Sequence, residues 1–93
     1  MSSSAPFMVI PPLGEIITFE QKNGETFRKA WMRMTELHRW YKPKMDLGVL
    51  IKIFYHGLLS MYQNALDVMV GETFSDYDAV KAYKILNGLL IFP

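Results

Sequence analysis

The fold is decided by residues 21–41, which read QKNGETFRKAWMRMTELHRWY. Apolar side chains recur there at intervals of three and four residues, which places them on one face of a helix. Most of the charged side chains fall on the opposite face. The residue before a proline is pushed out of the helical region, so Pro43 should stop this helix near Tyr41. The stretch therefore predicts a strong amphipathic helix, with an apolar face made of Phe27, Ala30, Trp31, Met34, Leu37 and Tyr41.

The start of this helix carries polar residues with their own predicted contacts. Asn23 and Gly24 indicate a turn and an N-cap, and Glu25 would then lie in the first turn, where the helix dipole favours an anion. We expect Gln21 and Glu25 to bond the free amides of the turn and helix start, and Arg33 to neutralise the cluster. The predicted role of these residues is architectural.

The rest of the chain predicts three more helices, each with a capping residue at its start and a glycine at its end. Phe74, in the loop before the last helix, should fill a gap in the core. The helices should span about 47–56, 61–70 and 76–87, with caps at Asp46, Ser60 and the Ser75–Asp78 capping box, and stops at Gly57, Gly71 and Gly88.

Helical spacing also predicts which side chains point inward. In the third helix we expect Tyr62, Ala65, Leu66 and Met69 on the inner face. In the last helix the expected inner residues are Tyr77, Val80, Tyr83 and Leu86. The predicted core of the all-α bundle is Phe27, Trp31, Met34, Leu50, Phe54, Leu66, Tyr83 and Leu86.

Composition limits the domain organisation and the classes of function. At 93 residues and 51% hydrophobic residues, the chain fits one small folded domain. We predict an irregular, proline-rich arm over residues 1–15 and a helical domain over residues 16–93. No apolar stretch is long enough to span a membrane, and the first basic residue, Lys22, comes too late for a secretory leader. The expected location is the cytoplasm or the nucleus.

The residue types and their spacing give little support for an enzymatic active site or a metal site. The chain has no cysteine and only His38 and His56 as histidines, so a zinc site is disfavoured. No nucleophile motif and no phosphate-binding glycine loop occurs. His38 should lie at the boundary of the amphipathic helix. We predict a non-enzymatic protein without a cofactor.

Charge leaves a second class of function open. Between Lys22 and Lys52 there are eight Lys or Arg residues against three acidic ones, although the whole chain carries a formal charge of only +1. A basic helix is usually a solvated face, but it can also contact nucleic acid. The alternative hypothesis is therefore a small nucleic-acid binder that uses Arg28, Lys29, Arg39, Lys42 and Lys44.

Several motifs in one order resemble a known family. Gln21, Glu25, Phe27 and Arg33 are spaced like the major homology region of retroviral and retrotransposon capsid proteins. Residues 54–58, FYHGL, resemble the Phe-Tyr-x-Gly-Leu motif of Gag proteins from gypsy-class long-terminal-repeat retrotransposons, especially those of plants. The LDVMVGETF of residues 66–74 and the AYKIL of residues 82–86 continue the likeness, which covers about residues 16–88.

The resemblance implies the C-terminal lobe of a Gag capsid, which has four helices, is not an enzyme and associates with itself. Such a fragment, decayed or domesticated, could assemble, block assembly of other Gag proteins or bind a host protein. The loop at residues 41–45 departs from the family pattern, as does the early third helix, which lacks the usual Arg.

The second predicted helix has apolar residues on its outer side as well as on the side that faces the core. Val49, Ile53 and His56 lie away from its core-facing side, and the corresponding helix of resembling capsid lobes makes a two-fold contact. We therefore expect a homodimer in which this face pairs with its counterpart. The apolar arm could cross to the partner through Phe7 and Ile10.

Overall fold

The computed structural model describes residues 13–41 and 45–88, and all regular structure within these residues is helical. The predicted all-α fold with four main helices is confirmed. A short helix precedes the four, and a 3₁₀ turn interrupts the last connection. The helices are α1 (Leu13–Ile17), α2 (Phe27–Arg39), α3 (Leu47–Gly57), α4 (Ser60–Val70) and α5 (Ala79–Gly88), with the 3₁₀ turn at Phe74–Asp76.

Helix α1 begins inside the segment predicted to be an irregular arm. Thr18 bonds back to the carbonyl oxygen of Gly14 through both its amide and its hydroxyl. Ile16 is fully buried in the core. The prediction for residues 13–15 was wrong because every proline of the arm precedes Leu13, so none interrupts this turn of helix. Residues 1–12 lie outside the described part of the chain.

Helix α2 starts at Phe27, later than Asn23 and Gly24 predicted. Gly24 adopts a left-handed backbone (φ 81°) in a turn closed by the Glu25 amide on the Lys22 carbonyl. Thr26 is the N-cap, since its hydroxyl accepts the Lys29 amide at 3.1 Å. Glu25 therefore lies outside the helix and not in its first turn.

The caps of the other helices were predicted with mixed success. Asp46 caps α3 as expected, accepting the Gly48 amide at 3.0 Å. Ser60 is the first residue of α4 and not its cap, because Leu59 occupies the cap position. In α5 the capping oxygen comes from Asp78, which accepts the Lys81 amide at 3.0 Å. The predicted capping box fails because Ser75 lies buried in the 3₁₀ turn.

The core is centred on the ring of Phe54. The rings of Phe19, Phe27 and Trp31 lie 5.6, 5.7 and 4.9 Å from it, centroid to centroid, within the range of favourable aromatic pairs. The Trp31 indole N–H donates to Oδ1 of Asn87 at 2.8 Å, which satisfies a buried donor. Helices α2, α3 and α5 are therefore joined at one aromatic cluster.

The predicted core set is largely inside. Phe27, Trp31, Met34, Leu50, Phe54, Leu66 and Leu86 are buried, and Tyr83 is half-buried against them. Phe74 is fully buried, as predicted for the loop that precedes α5.

For α5 and α4, some of the residues predicted to face the core lie on another side of the helix. In α5, Val80 is 56% exposed and Ala82 is buried in its place. In α4, Leu66 is buried, whereas Met69 is exposed and Ala65 only half-buried. Both helices are apolar on more than one side, so periodicity alone could not choose which side would meet the core.

Candidate functional site: a polar junction beside an apolar helix face

Gln21 joins three parts of the fold. Its side chain is buried; Oε1 accepts the Leu59 amide at 3.0 Å and Nε2 donates to the Glu25 carbonyl at 2.9 Å. Its own amide donates to the Gly57 carbonyl at 2.8 Å. Leu59, the cap residue of α4, makes no side-chain cap bond, and the Gln21 oxygen instead satisfies its backbone amide from outside the helix. The turn before α2 thereby holds the end of α3 and the start of α4.

Glu25 and Arg33 form a two-pronged ion pair beside Gln21. Arg33 Nε donates to Glu25 Oε2 at 2.9 Å and Nη2 donates to Oε1 at 2.8 Å. The Lys22 amide donates to the same carboxylate at 3.0 Å. Arg33 also donates to the Glu20 carbonyl at 2.7 Å, and its guanidinium lies 4.3 Å from the centre of the Phe19 ring. All these contacts fix the turn against α2.

This ion pair is sheltered from solvent, and the contact between its two members shifts the pKa of each. The side chains of Glu25 and Arg33 are only 12% and 31% exposed. The hydrogen bonds from Arg33 lower the pKa of Glu25 from 4.5 to about 2, against the opposing effect of burial. The same contact raises the pKa of Arg33. Both groups are therefore charged throughout the physiological range.

Phe27 completes the set of four motif residues. It is buried, with its ring 5.7 Å from Phe54 and 5.5 Å from Tyr62. The structure thus brings Gln21, Glu25, Phe27 and Arg33 to one junction, where polar contacts lie on one side and core packing on the other. We call these four residues the polar junction.

A second polar cluster was not predicted. The buried Tyr55 hydroxyl donates to the Asp67 carboxylate at 2.8 and 2.9 Å, and the Phe74 amide donates to the same group at 2.8 Å. Burial, followed by the nearby Asp67 carboxylate, raises the pKa of Tyr55 to about 12. The cluster joins α3, α4 and the 3₁₀ turn. A signal was available, since both Tyr55 and Asp67 lie within motifs of the family resemblance.

The predicted association face lies on the outside of α3. Val49 is 46% exposed, Ile53 is half-buried and His56 is exposed, and Lys52 lies on the same side. Next to them is a groove of about 440 Å³, lined in part by Ile53, His56 and the exposed Ile17 of α1. We call Val49, Ile53 and His56 the α3 outer face. Phe7 and Ile10, predicted to extend it, lie outside the described residues.

The described residues of the nucleic-acid hypothesis lie near opposite ends of α2. Arg28 and Lys29 are exposed at the start of α2. Arg39, near the other end of the helix, forms an exposed ion pair with Glu36. Lys42 and Lys44 lie outside the described part of the chain, so this hypothesis stays a prediction.

His38 does not lie at a solvent boundary, contrary to prediction. It is buried on α2, and its Nε2 has no hydrogen-bond partner among the described residues. His38 lies one helical turn after the buried Met34, so both side chains are on the core-facing side of α2. Within residues 13–41 and 45–88, no three His, Asp or Glu side chains group as a metal site would need, and no helix is long and apolar enough to cross a membrane.

No protein-family model, no curated protein and no solved structure matches the chain.

Proposed function

We propose that this chain is a non-enzymatic self-association module of the capsid type, derived from the C-terminal lobe of a retrotransposon Gag protein. Two copies pair through the α3 outer face. The observation that carries the proposal is the polar junction. The four residues that define the sequence resemblance lie at one place and hold α2, α3 and α4 together.

The junction supports this proposal because its contacts are made within the chain. The two oxygens of Glu25 and the two side-chain polar atoms of Gln21 all have partners in the protein. Groups satisfied in this way are not available to a substrate, and they fix the orientation of the element beside them. That element is α3, whose outer face carries the exposed apolar side chains.

The α3 outer face supports pairing for a second reason. Val49 and Ile53 are one helical turn apart, so they form a short apolar strip, and Ile53 lines the groove together with the exposed Ile17. A chain of this length buries a smaller share of its surface than a larger domain does, and a dimer adds to that share. Pairing therefore stabilises the fold as well as covering the strip.

Light scattering after size exclusion tests the proposal on the full chain. We expect the wild type to have twice the mass of one chain and Val49→Asp to have the mass of one chain. Val80→Asp is the matched control, since it places the same charge at another half-exposed helical valine. Circular dichroism checks that each variant is folded. A wild type that stays monomeric at high concentration, or an equal effect of both variants, would overturn the proposal.

A further inference from the structure

A small cleft lies between α2 and the last turn of α5. Its volume is about 260 Å³, and both members of the Trp31–Asn87 hydrogen bond line it. Small-molecule sites usually have about 300–1,000 Å³, so a cleft of this size suits one or two side chains better than a free ligand. We call it the α2–α5 cleft, and its apolar wall is made of Phe27, Trp31, Met32 and Leu86.

Met32 is the part of this wall that the core leaves uncovered. It is 58% exposed on the outer side of α2, where Arg28, Lys29 and Glu36 are exposed charged residues. The contacts of α2 with the core therefore do not explain an apolar side chain at this position. Among the described residues that line the cleft none is acidic, and Arg28 alone is charged. The cleft thus presents a surface suited to apolar side chains.

We propose that residues 89–92 of the same chain fill the α2–α5 cleft. These residues lie outside the described part of the chain, and their side chains are all apolar: Leu89, Leu90, Ile91 and Phe92. Helix α5 ends at Gly88, and Asn87, two residues before the segment, already lines the cleft. A segment joined so closely to its site is present there at a high effective concentration, and its binding costs little chain entropy.

The length of the segment matches the cleft. Four extended residues span at most about 14 Å. Along α2 the cleft runs from Phe27 to Thr35, a rise of about 12 Å. The segment can therefore cover Met32 and the Trp31–Asn87 bond together, and its apolar side chains leave water when it does so. We call residues 89–92 the strap, which joins α5 to α2 within one chain and does not depend on pairing at α3.

Methyl NMR of the full chain tests the strap without any substitution. We expect nuclear Overhauser contacts between the Met32 methyl group and side chains of residues 89–92. Val80, at the other end of α5 and 56% exposed, is the control and should show no contact with them. Absence of these contacts at Met32 would overturn the inference. Contacts that arise only between copies, in a sample with half of the chains labelled, would also overturn it, because a second molecule would then fill the cleft.

Two double variants measure what the strap contributes to stability. Leu90→Ser/Phe92→Ser should lose the Met32 contacts and lower the melting temperature by at least about 5 °C, because large apolar side chains return to water. Val68→Ser/Val80→Ser, the control, changes two exposed apolar residues outside the cleft and should lower it by less than about 3 °C. Equal melting temperatures for the two double variants would contradict the strap. Light scattering should give Leu90→Ser/Phe92→Ser the mass of the wild type, so this test is separate from that of the α3 pairing.

Discussion

Two Glu–Arg pairs in this chain have the same chemistry and different surroundings. Glu25 and Arg33 are largely buried, eight residues apart, and the carboxylate also accepts a backbone amide. Glu36 and Arg39 are three residues apart on the exposed side of α2. Since a solvated pair contributes little and a sheltered, fully bonded pair is costly to break, we expect only the first to matter for stability.

Replacing each glutamate by glutamine tests this difference. Glu25→Gln should lower the free energy of unfolding by about 2 kcal/mol, because Arg33 loses its counter-charge in a sheltered position. For a domain of this size the melting temperature should fall by roughly 8–16 °C. Glu36→Gln, the matched control, should change the free energy by less than about 0.5 kcal/mol. Equal melting temperatures for the two variants in thermal denaturation would show that the polar junction is not structural.

The lowered pKa of Glu25 also predicts that part of the free energy of unfolding is lost at acid pH. Its pKa is lowered on folding from 4.5 to about 2, so the unfolded chain takes up a proton first as the pH falls. The stabilisation is fully present above about pH 4.5 and is lost progressively towards pH 2. Urea unfolding across this window should give a free energy that falls less steeply in Glu25→Gln than in Glu36→Gln. Parallel curves for the two variants would contradict the assignment.

The sequence predicted that the four junction residues cooperate, but not how. The type and spacing of Gln21, Glu25 and Arg33 indicated a polar cluster at a helix start. The main partner of the Gln21 oxygen is the Leu59 amide, 38 residues away. A contact of that kind depends on how the helices pack, which local spacing does not contain.

Among the helix ends, Gly57 was predicted at the correct position but for a different physical reason. It was predicted as a helix stop, and α3 does end there. The left-handed glycines among the described residues are, however, Gly24 and Gly71. At Gly57 a Cβ would lie 2.2 Å from the Phe19 carbonyl oxygen, so glycine allows the segment after α1 to pack closely against α3.

Gly57→Ala should therefore destabilise the fold by at least about 2 kcal/mol, because the carbonyl of Phe19 belongs to the backbone and cannot move aside cheaply. Gly14→Ala is the control within α1, where a Cβ would meet nothing within 4 Å. Its effect should be neutral or stabilising by up to about 1 kcal/mol, since alanine is the better helix former. Urea denaturation of both variants measures the difference. A tolerated Gly57→Ala would mean that the segment around Phe19 does not pack against the end of α3 as described.

The errors in helix faces and caps share a physical reason. Where a helix has one apolar face, as α2 has, periodicity predicted the buried residues Phe27, Ala30, Trp31 and Met34. Where a helix is apolar on two sides, as α4 is, the inner face is chosen by the neighbours it meets. The cap of α4 was misassigned because Leu59 takes the cap position without a side-chain bond, and its amide is bonded by Gln21 from a distant turn.

At the scale of the whole molecule, the aromatic cluster closes the bundle and leaves apolar strips on its outside. Trp31 reaches Phe54 of α3 and Tyr83 of α5, so three of the four predicted helices meet at one side chain. The helical bundle could be predicted because the apolar residues that form its core recur at clear helical spacing. The inner side of α4 was predicted less well, because Met69, assigned to the core, is exposed and Ala65 is only half-buried.

A mixed-label NMR experiment shows directly whether two copies meet at the α3 outer face. Half of the chains carry ¹³C-labelled methyl groups, the other half do not, and only contacts between copies are recorded. We expect intermolecular contacts at the methyl groups of Val49 and Ile53, and none at Val80. Absence of contacts at Val49 and Ile53, at a concentration where the mass is that of a dimer, would contradict the account.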